Sequence, residues 1–222
     1  TDTSILNFPK MFMNTFVIAI FTCIISTIFV LSVAYSMSRM RFKMRKPFMN
    51  IAMIIGLFPS FMSMIAVYYI LRALNLADGA MIRVALIIVF SAGSGAGFYV
   101  AKGFFDTISK SLDEAAIIDG ATRWNVFTKI TVPLSKPIIV YTILTSFMGP
   151  WVDFIFGKVI CRADAQYYTV SIGLWKMLEK EYIDSWYTCF AAGAVVVSIP
   201  IAILFLMTQK FYVEGMTGAV KG

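Results

Sequence analysis

Charge is missing from this chain over stretches far longer than a soluble fold tolerates. Residues 11–38, 48–71, 84–101 and 185–209 contain no Asp, Glu, Lys or Arg, and residues 137–157 contain Asp153 alone. A helix needs about 20 apolar residues to cross the roughly 30 Å hydrocarbon core of a bilayer. Inside lipid only a helix or a closed barrel satisfies every backbone N–H and C=O. Strict apolar–polar alternation is absent, which disfavours the barrel. Composition agrees: 59% of the 222 residues are hydrophobic and 14% charged, against about 45–50% and about 25% in ordinary globular chains. A soluble domain of this size has too much surface to hide that apolar area. The expectation is an all-α polytopic membrane protein: one transmembrane domain over residues 1–222, with five membrane helices.

Basic residues mark the cytoplasmic loops of such proteins. Arg39, Arg41, Lys43, Arg45 and Lys46 follow the first run with no acidic residue among them. That loop is therefore predicted inside, which puts Thr1 outside and alternates the rest. Residues 72–83 fall outside, 102–136 inside, 158–184 outside, and the tail from Lys210 inside. The inside segments then hold twelve basic and five acidic residues, and the outside ones, leaving Lys158 at the membrane edge, six of each. The whole formal charge of +7 lies on one face. Anionic lipid headgroups account for such a face more economically than a nucleic acid does, and no nucleic-acid partner is expected. The chain opens at Thr1 with polar, unsignal-like residues. An outside start implies a further helix upstream, six in the complete protein.

Several chemistries are excluded. There is no histidine, so histidine-dependent triads, zincin sites and histidine proton relays are out. Cys23, Cys161 and Cys189 are scattered and read as small apolar fillers rather than a metal set or disulfide. No nucleophile–base pair is identifiable, so an enzyme is not expected. No phosphate-cradling G-x-x-x-x-G-K-[ST] loop occurs either, and no metal or cofactor is expected in this chain.

One inside loop, about residues 103–136, is as polar as a soluble protein. Leu112, Ala115, Ala116, Asp119 and Gly120 share a helical face with little bulk, which admits another backbone at close range. Ser111 is a candidate N-cap, Asp113 and Glu114 suit the first turn of the dipole, and Gly120 can end the helix. Pro133 and Pro137 fix the approach to the next membrane helix. Two readings stand from the residues alone: a handle for a soluble partner, or an amphipathic helix resting on headgroups.

The order Glu114-Ala115-Ala116-x-x-Asp119-Gly120-Ala121-x8-Ile130-x-x-Pro133 resembles the EAA loop of ATP-binding-cassette importer permeases, departing only in Val132 where leucine is usual. Asn14-Thr15, Ala34-Tyr35 before Arg39-x-Arg41-Phe42, Tyr68…Leu71…Leu74-Asn75-Leu76 and the tail Glu214–Gly222 are similar to the carbohydrate branch, and the tail to the smaller permease subunit of maltose and maltodextrin importers. The resemblance implies a multi-pass subunit in the cell membrane of a prokaryote. It would pair with a second, homologous permease, a cytoplasmic ATPase dimer that uses ATP and Mg, and an extracytoplasmic sugar-binding protein. It makes the loop a coupling helix seated in the ATPase, with Glu114 and Asp119 as charged anchors and Ala115, Ala116, Gly120 and Ala121 giving close approach. Ile130 and Pro133 complete that motif. Gly215, Thr217 and Lys221 would touch the ATPase from the tail. The competing class, an ion-coupled secondary transporter or channel subunit, needs buried ionisable groups and leaves this loop unexplained.

Other features carry two readings each. Asp153 lies roughly 24 Å along its helix at about 1.5 Å per residue, near the outer surface. There it is either solvated or paired with Lys158, or, with Trp151, part of a substrate path. Gly93-Ser94-Gly95-Ala96-Gly97 serves close helix packing or a flexible gate. Pro59 should kink its helix. The outer loop, about residues 159–185, with Tyr167, Tyr168, Trp175 and Glu179-Lys180-Glu181, is an interfacial aromatic belt with a charged turn or a contact for the sugar-binding protein.

Overall fold

A computed structural model of the chain describes residues 6–57, 60–93, 97–162 and 164–219. Among them the regular elements are helices, with no strand. In chain order these are α1 (Phe8–Arg39), α2 (Arg45–Gly56), α3 (Ser60–Ala73), α4 (Met81–Gly93), α5 (Gly97–Thr107), α6 (Lys110–Ile118), α7 (Arg123–Val126), a π-turn (Phe127–Thr131), α8 (Val132–Leu134) and α9 (Lys136–Val152). There follow α10 (Ile155–Cys161), a 3-10 turn (Ala165–Tyr167), α11 (Val170–Met177) and α12 (Ile183–Ala219).

α1 is the spine. Asn7 caps it by accepting a hydrogen bond from the Lys10 N–H at 3.1 Å, and Pro9 occupies the first turn, where its missing N–H costs nothing. Arg39 closes the last turn, at the negative end of the dipole. The face of α1 turned to α4, α5, α9 and α11 carries Thr15, Ala19, Thr22, Ser26 and Ala34, each 1% exposed or less. Its opposite face carries Phe21, Ile24, Ile28 and Phe29, each half exposed or more. Met11, Ile18 and Val30 are buried beside these small and polar residues, so the contact side of α1 mixes polar and apolar groups while its outer side is bulky and apolar. That distribution suits lipid, where helices associate through close packing rather than burial of oily side chains.

α1 and α12 are each long and apolar enough to cross a membrane. α4 with α5, bent by 43°, and residues 123–134 with α9, bent by 80°, bring the number to four if each bent pair is one span. The fifth predicted run, 48–71, is divided between α2 and α3. Pro59 lies outside the described residues, as do Ser94, Gly95 and Ala96 of the glycine cluster. Where that cluster resumes, a β-carbon on Gly97 would sit 3.7 Å from Val30, so α5 lies close on α1.

Two cores form at opposite ends of α1. At the basic end Val30, Ala34, Phe98, Ala101 and Phe105 join α1 to α5, with Ile138 of α9. At the far end Met11, Ile18, Ile82, Leu86, Ile160 and Ile172 join α1, α4, α10 and α11. The predicted outer loop is in part a packed structure: Tyr168, Thr169, Val170, Ile172 and Met177 are buried, while Lys180 and Glu181 of the charged turn are exposed. Its belt reading fails for Tyr168, while Trp175 is half exposed. Asn14 and Thr15 hold this unit down. The Asn14 amide donates to the carbonyls of Gln166 (2.9 Å) and Tyr168 (3.2 Å) and accepts from Arg83 Nε (3.0 Å). The Thr15 hydroxyl accepts from the Val170 N–H at 2.8 Å, so the first turn of α11 is capped from a helix 155 residues away.

Candidate functional site

At the basic end an arm of short helices leaves the bundle between α5 and α9. Ser109, rather than the predicted Ser111, is the N-cap of α6, accepting from the Ser111 N–H at 3.3 Å. Glu114 consequently lies past the first turn, which holds Asp113. The helix ends in a Schellman turn: the Ala121 N–H bonds the Ala116 carbonyl (2.9 Å) and the Gly120 N–H the Ile117 carbonyl (3.0 Å). Gly120 has φ +85°, a left-handed conformation that a β-carbon disfavours. Thr122 starts the next helix at once, its hydroxyl accepting from the Asn125 N–H at 3.2 Å. Reversal within so few residues makes α6 and α7 a rigid elbow.

No residue of α6 is buried. Leu112, Glu114, Ala115, Ile117, Ile118, Asp119 and Gly120 are exposed, Ile118 at 85%, and nearby Trp124 at 70%. Ala116 and Ala121 are half-buried. Ala115 and Asp119 therefore stand free on the arm, while Ala116 turns partly toward the bundle. Glu114 faces a cleft of about 180 Å³ shared with Arg39, Arg41, Arg45, Lys110 and Arg123. Neither Glu114 nor Asp119 forms an ion pair among the described residues.

Beyond α7 the chain passes through the π-turn, in which the Val132 N–H reaches back to the Phe127 carbonyl. The widened turn precedes Pro133, which has no N–H to continue an ordinary ladder. Ile130 is half-buried and Pro133 exposed. The 80° bend at Ser135 then throws the arm nearly across the axis of α9, with Pro137 in the first turn of that helix. The motif residues are thus brought together on one projecting arm, Ile130 and Pro133 at its root.

Three residues at the end of α1, Tyr35, Ser38 and Arg39, tie it to the arm and to the end of α5. Arg39 Nε and Asp113 Oδ2 are 3.2 Å apart, with side chains only 5% and 14% exposed. Arg39 Nη2 donates to the Ile108 carbonyl at 2.9 Å. One turn earlier the Tyr35 hydroxyl donates to the Arg123 carbonyl (3.5 Å), and its ring lies 4.7 Å from that of Phe127. Ser38 donates to Asp106 Oδ1 at 2.6 Å, and Lys102 pairs with Oδ2. Burial raises the Asp106 carboxyl, but the Lys102 and Ser38 contacts outweigh it and hold the group below its ordinary 3.8. The sequence offered Arg39 only as an inside-positive charge and Asp113 only as a dipole partner. Their separation of 74 positions hid the pairing.

Within the bundle, α1, α4, α5 and α9 enclose a cavity of about 610 Å³. Thr22, Thr142, Thr145, Ser146 and Asp153 give it a polar wall. Asp153 does not pair with Lys158: its Oδ1 accepts from the Gly157 N–H at 3.0 Å at the start of α10, while Lys158 lies 3.9 Å from Glu179 and over the Phe154 ring. Trp151 does not line the cavity. It is 2% exposed and packs among Phe12, Phe16 and Phe147. Lys221 lies outside the described residues, as does the side chain of Thr217, and Gly215 carries none.

A helical bundle with bulky apolar outer faces and an arm of short helices projecting from its basic end has the build of a multi-pass membrane component. Residues 31–216 match the family described as binding-protein-dependent transport system inner membrane component, and the chain belongs to that family. It is 35% identical, over 98% of its own length and 76% of the relative's, to the galactooligosaccharides transport system permease protein GanQ of Bacillus subtilis. It is 32% identical over 95% of its length (74% of the relative) to the maltodextrin transport system permease protein MalD of Streptococcus pneumoniae. Identity to the maltodextrin permease protein MdxG of Bacillus subtilis is 33% over 94% of the chain and 74% of that protein. The chain is therefore a membrane-embedded transport permease and not an enzyme.

Proposed function

We propose that this chain is one of two homologous permease subunits of an ATP-driven importer for oligosaccharides of the maltodextrin or galactooligosaccharide class, the cargoes its relatives' names state. Five spans cross the membrane: α1, α2 with α3, α4 with α5, α9, and α12. The arm lies in the cytoplasm and the α10–α11 unit outside, where it meets the sugar-binding protein. α6 is the coupling helix. It seats in the ATPase dimer, which uses ATP and Mg, and closure of that dimer turns the helices as rigid bodies between two packed states. Ala115 and Gly120 admit the ATPase backbone, Glu114 and Asp119 engage it by charge-assisted hydrogen bonds, and Ala116, Ala121, Ile130 and Pro133 shape and root the arm. Gly215, Thr217 and Lys221 add a tail contact. Asp153 belongs to the substrate path through the hydroxyl-walled cavity, with Trp151 as packing behind it.

The observation that carries this reading is a capped helix with no buried residue. A short helix seldom holds its shape in water unaided, so this one is built for an outside surface. The test places cysteine at Ala115 and across the ATPase surface in the assembled complex. Oxidation should join the two subunits in a nucleotide-dependent manner. Labelling of Ala115→Cys from the external medium, or crosslinking to lipid alone, would end the proposal.

A further inference from the structure

No residue of α6 as a whole is buried, so beyond its chain connections to α5 and α7 it is tied to the membrane helices by a few side-chain contacts. Those contacts converge on the last two turns of α1. Arg39 holds Asp113 of α6 and the Ile108 carbonyl just before it, 3.2 Å and 2.9 Å away. Tyr35 holds the segment after it through Arg123 and Phe127. α1 in turn packs on α4, α5, α9 and α11, so a pull on its basic end is delivered to most of the bundle.

The ion pair is poorly arranged for static stability. Arg39 Nε, Arg39 Nη1 and Asp113 Oδ1 are all buried without a hydrogen-bond partner among the described residues, so the 3.2 Å contact is an ion pair and not a hydrogen bond, and a buried pair with unfilled capacity recovers its desolvation cost badly. What it does supply is direction. The planar guanidinium faces the Asp113 carboxylate as an ion pair through Nε while Nη2 donates to the Ile108 carbonyl, two contacts on one rigid group that a lysine ammonium does not reproduce.

We propose that the Arg39–Asp113 pair is the tether that transmits displacement of α6 into α1, making Arg39 and Asp113 positioning residues for transport. This rests on the coupling-helix reading above. The test uses the complete importer in proteoliposomes and compares Arg39→Gln, Arg39→Lys, Asp113→Asn and the exchange Arg39→Asp with Asp113→Arg. Sugar uptake, ATP hydrolysis and the Ala115→Cys crosslink to the ATPase are read on each. The single variants should lower uptake by about tenfold or more, while hydrolysis and crosslinking persist, so that ATP is spent without transport. The exchange, which restores the ion pair but not the bond to the Ile108 carbonyl, should recover part of the lost uptake. Unchanged uptake in the single variants with the crosslink intact overturns the tether alone. So does a parallel loss of uptake, hydrolysis and crosslinking that the exchange fails to restore, since that marks a merely structural contact. Absence of the crosslink in the otherwise unaltered chain removes the coupling-helix reading beneath it.

Discussion

Gly120 stands where two demands meet, and three substitutions separate them. Its φ of +85° puts it in the left-handed region, where a β-carbon costs roughly 1–2 kcal/mol. A β-carbon built there finds no atom of the chain within 4 Å. Alanine and leucine therefore carry the same backbone strain and neither clashes within the subunit. Asparagine tolerates the left-handed region but is nearly as large as leucine. If Gly120 serves only the Schellman turn, Gly120→Asn should transport almost normally, and Gly120→Ala and Gly120→Leu should fall together, by about five- to thirtyfold for about 1–2 kcal/mol. If the ATPase backbone lies against it, bulk decides. Gly120→Ala should then keep measurable transport while Gly120→Asn and Gly120→Leu lose it. We expect the second order, in uptake of labelled maltodextrin at matched membrane abundance. Retention in Gly120→Asn with equal losses in the other two would refute close approach at this residue.

Further outcomes follow from the rest of the molecule. Thr15→Val keeps shape but strands the buried Val170 N–H, at a cost of about 1–3 kcal/mol; the melting temperature in detergent should drop, and Thr15→Ser should largely restore it. The Cys161 thiol is pushed up to about 12, by burial first and then by Asp164, so it should resist maleimide at pH 8 in the folded protein and react on denaturation. Asp106 is held below its ordinary 3.8, so its contribution is present above that value and is lost as pH falls through the lowered one. Asp106→Asn should flatten the stability profile below about pH 4 and leave it unchanged near neutrality in shape.

Some of this architecture was readable because it follows from averages along the chain. Uncharged runs fix where helices can cross lipid, and the pooled sign of the loops fixes which end is basic. Neither depends on which residues touch. The motif of the arm was readable because its spacing is local, Glu114 to Pro133 lying within one loop. The cap was misplaced by two residues since Ser109 and Ser111 offer the same chemistry, and only the backbone chooses between them. Of the readings that the sequence leaves open for Asp153, pairing with Lys158 rests on proximity in sequence alone, and the backbone N–H of Gly157 takes the carboxylate instead.

What stayed hidden is the set of contacts on α1. Thr15 and Arg39 stand 24 positions apart on one helix, and each holds a polar partner from a distant segment: Val170 at one end, Asp113 at the other. A scan of composition sees a threonine in an apolar run and an arginine at a helix end. In the folded chain they fasten the α10–α11 unit and the α6 arm to the same rod. Helices in lipid gain little from apolar burial against one another, so direct polar contacts of this kind carry much of the specificity of their arrangement. An element that moves from one end without losing its grip on the other has to be continuous and unkinked between them, and α1 runs for 32 residues without an internal proline past its first turn.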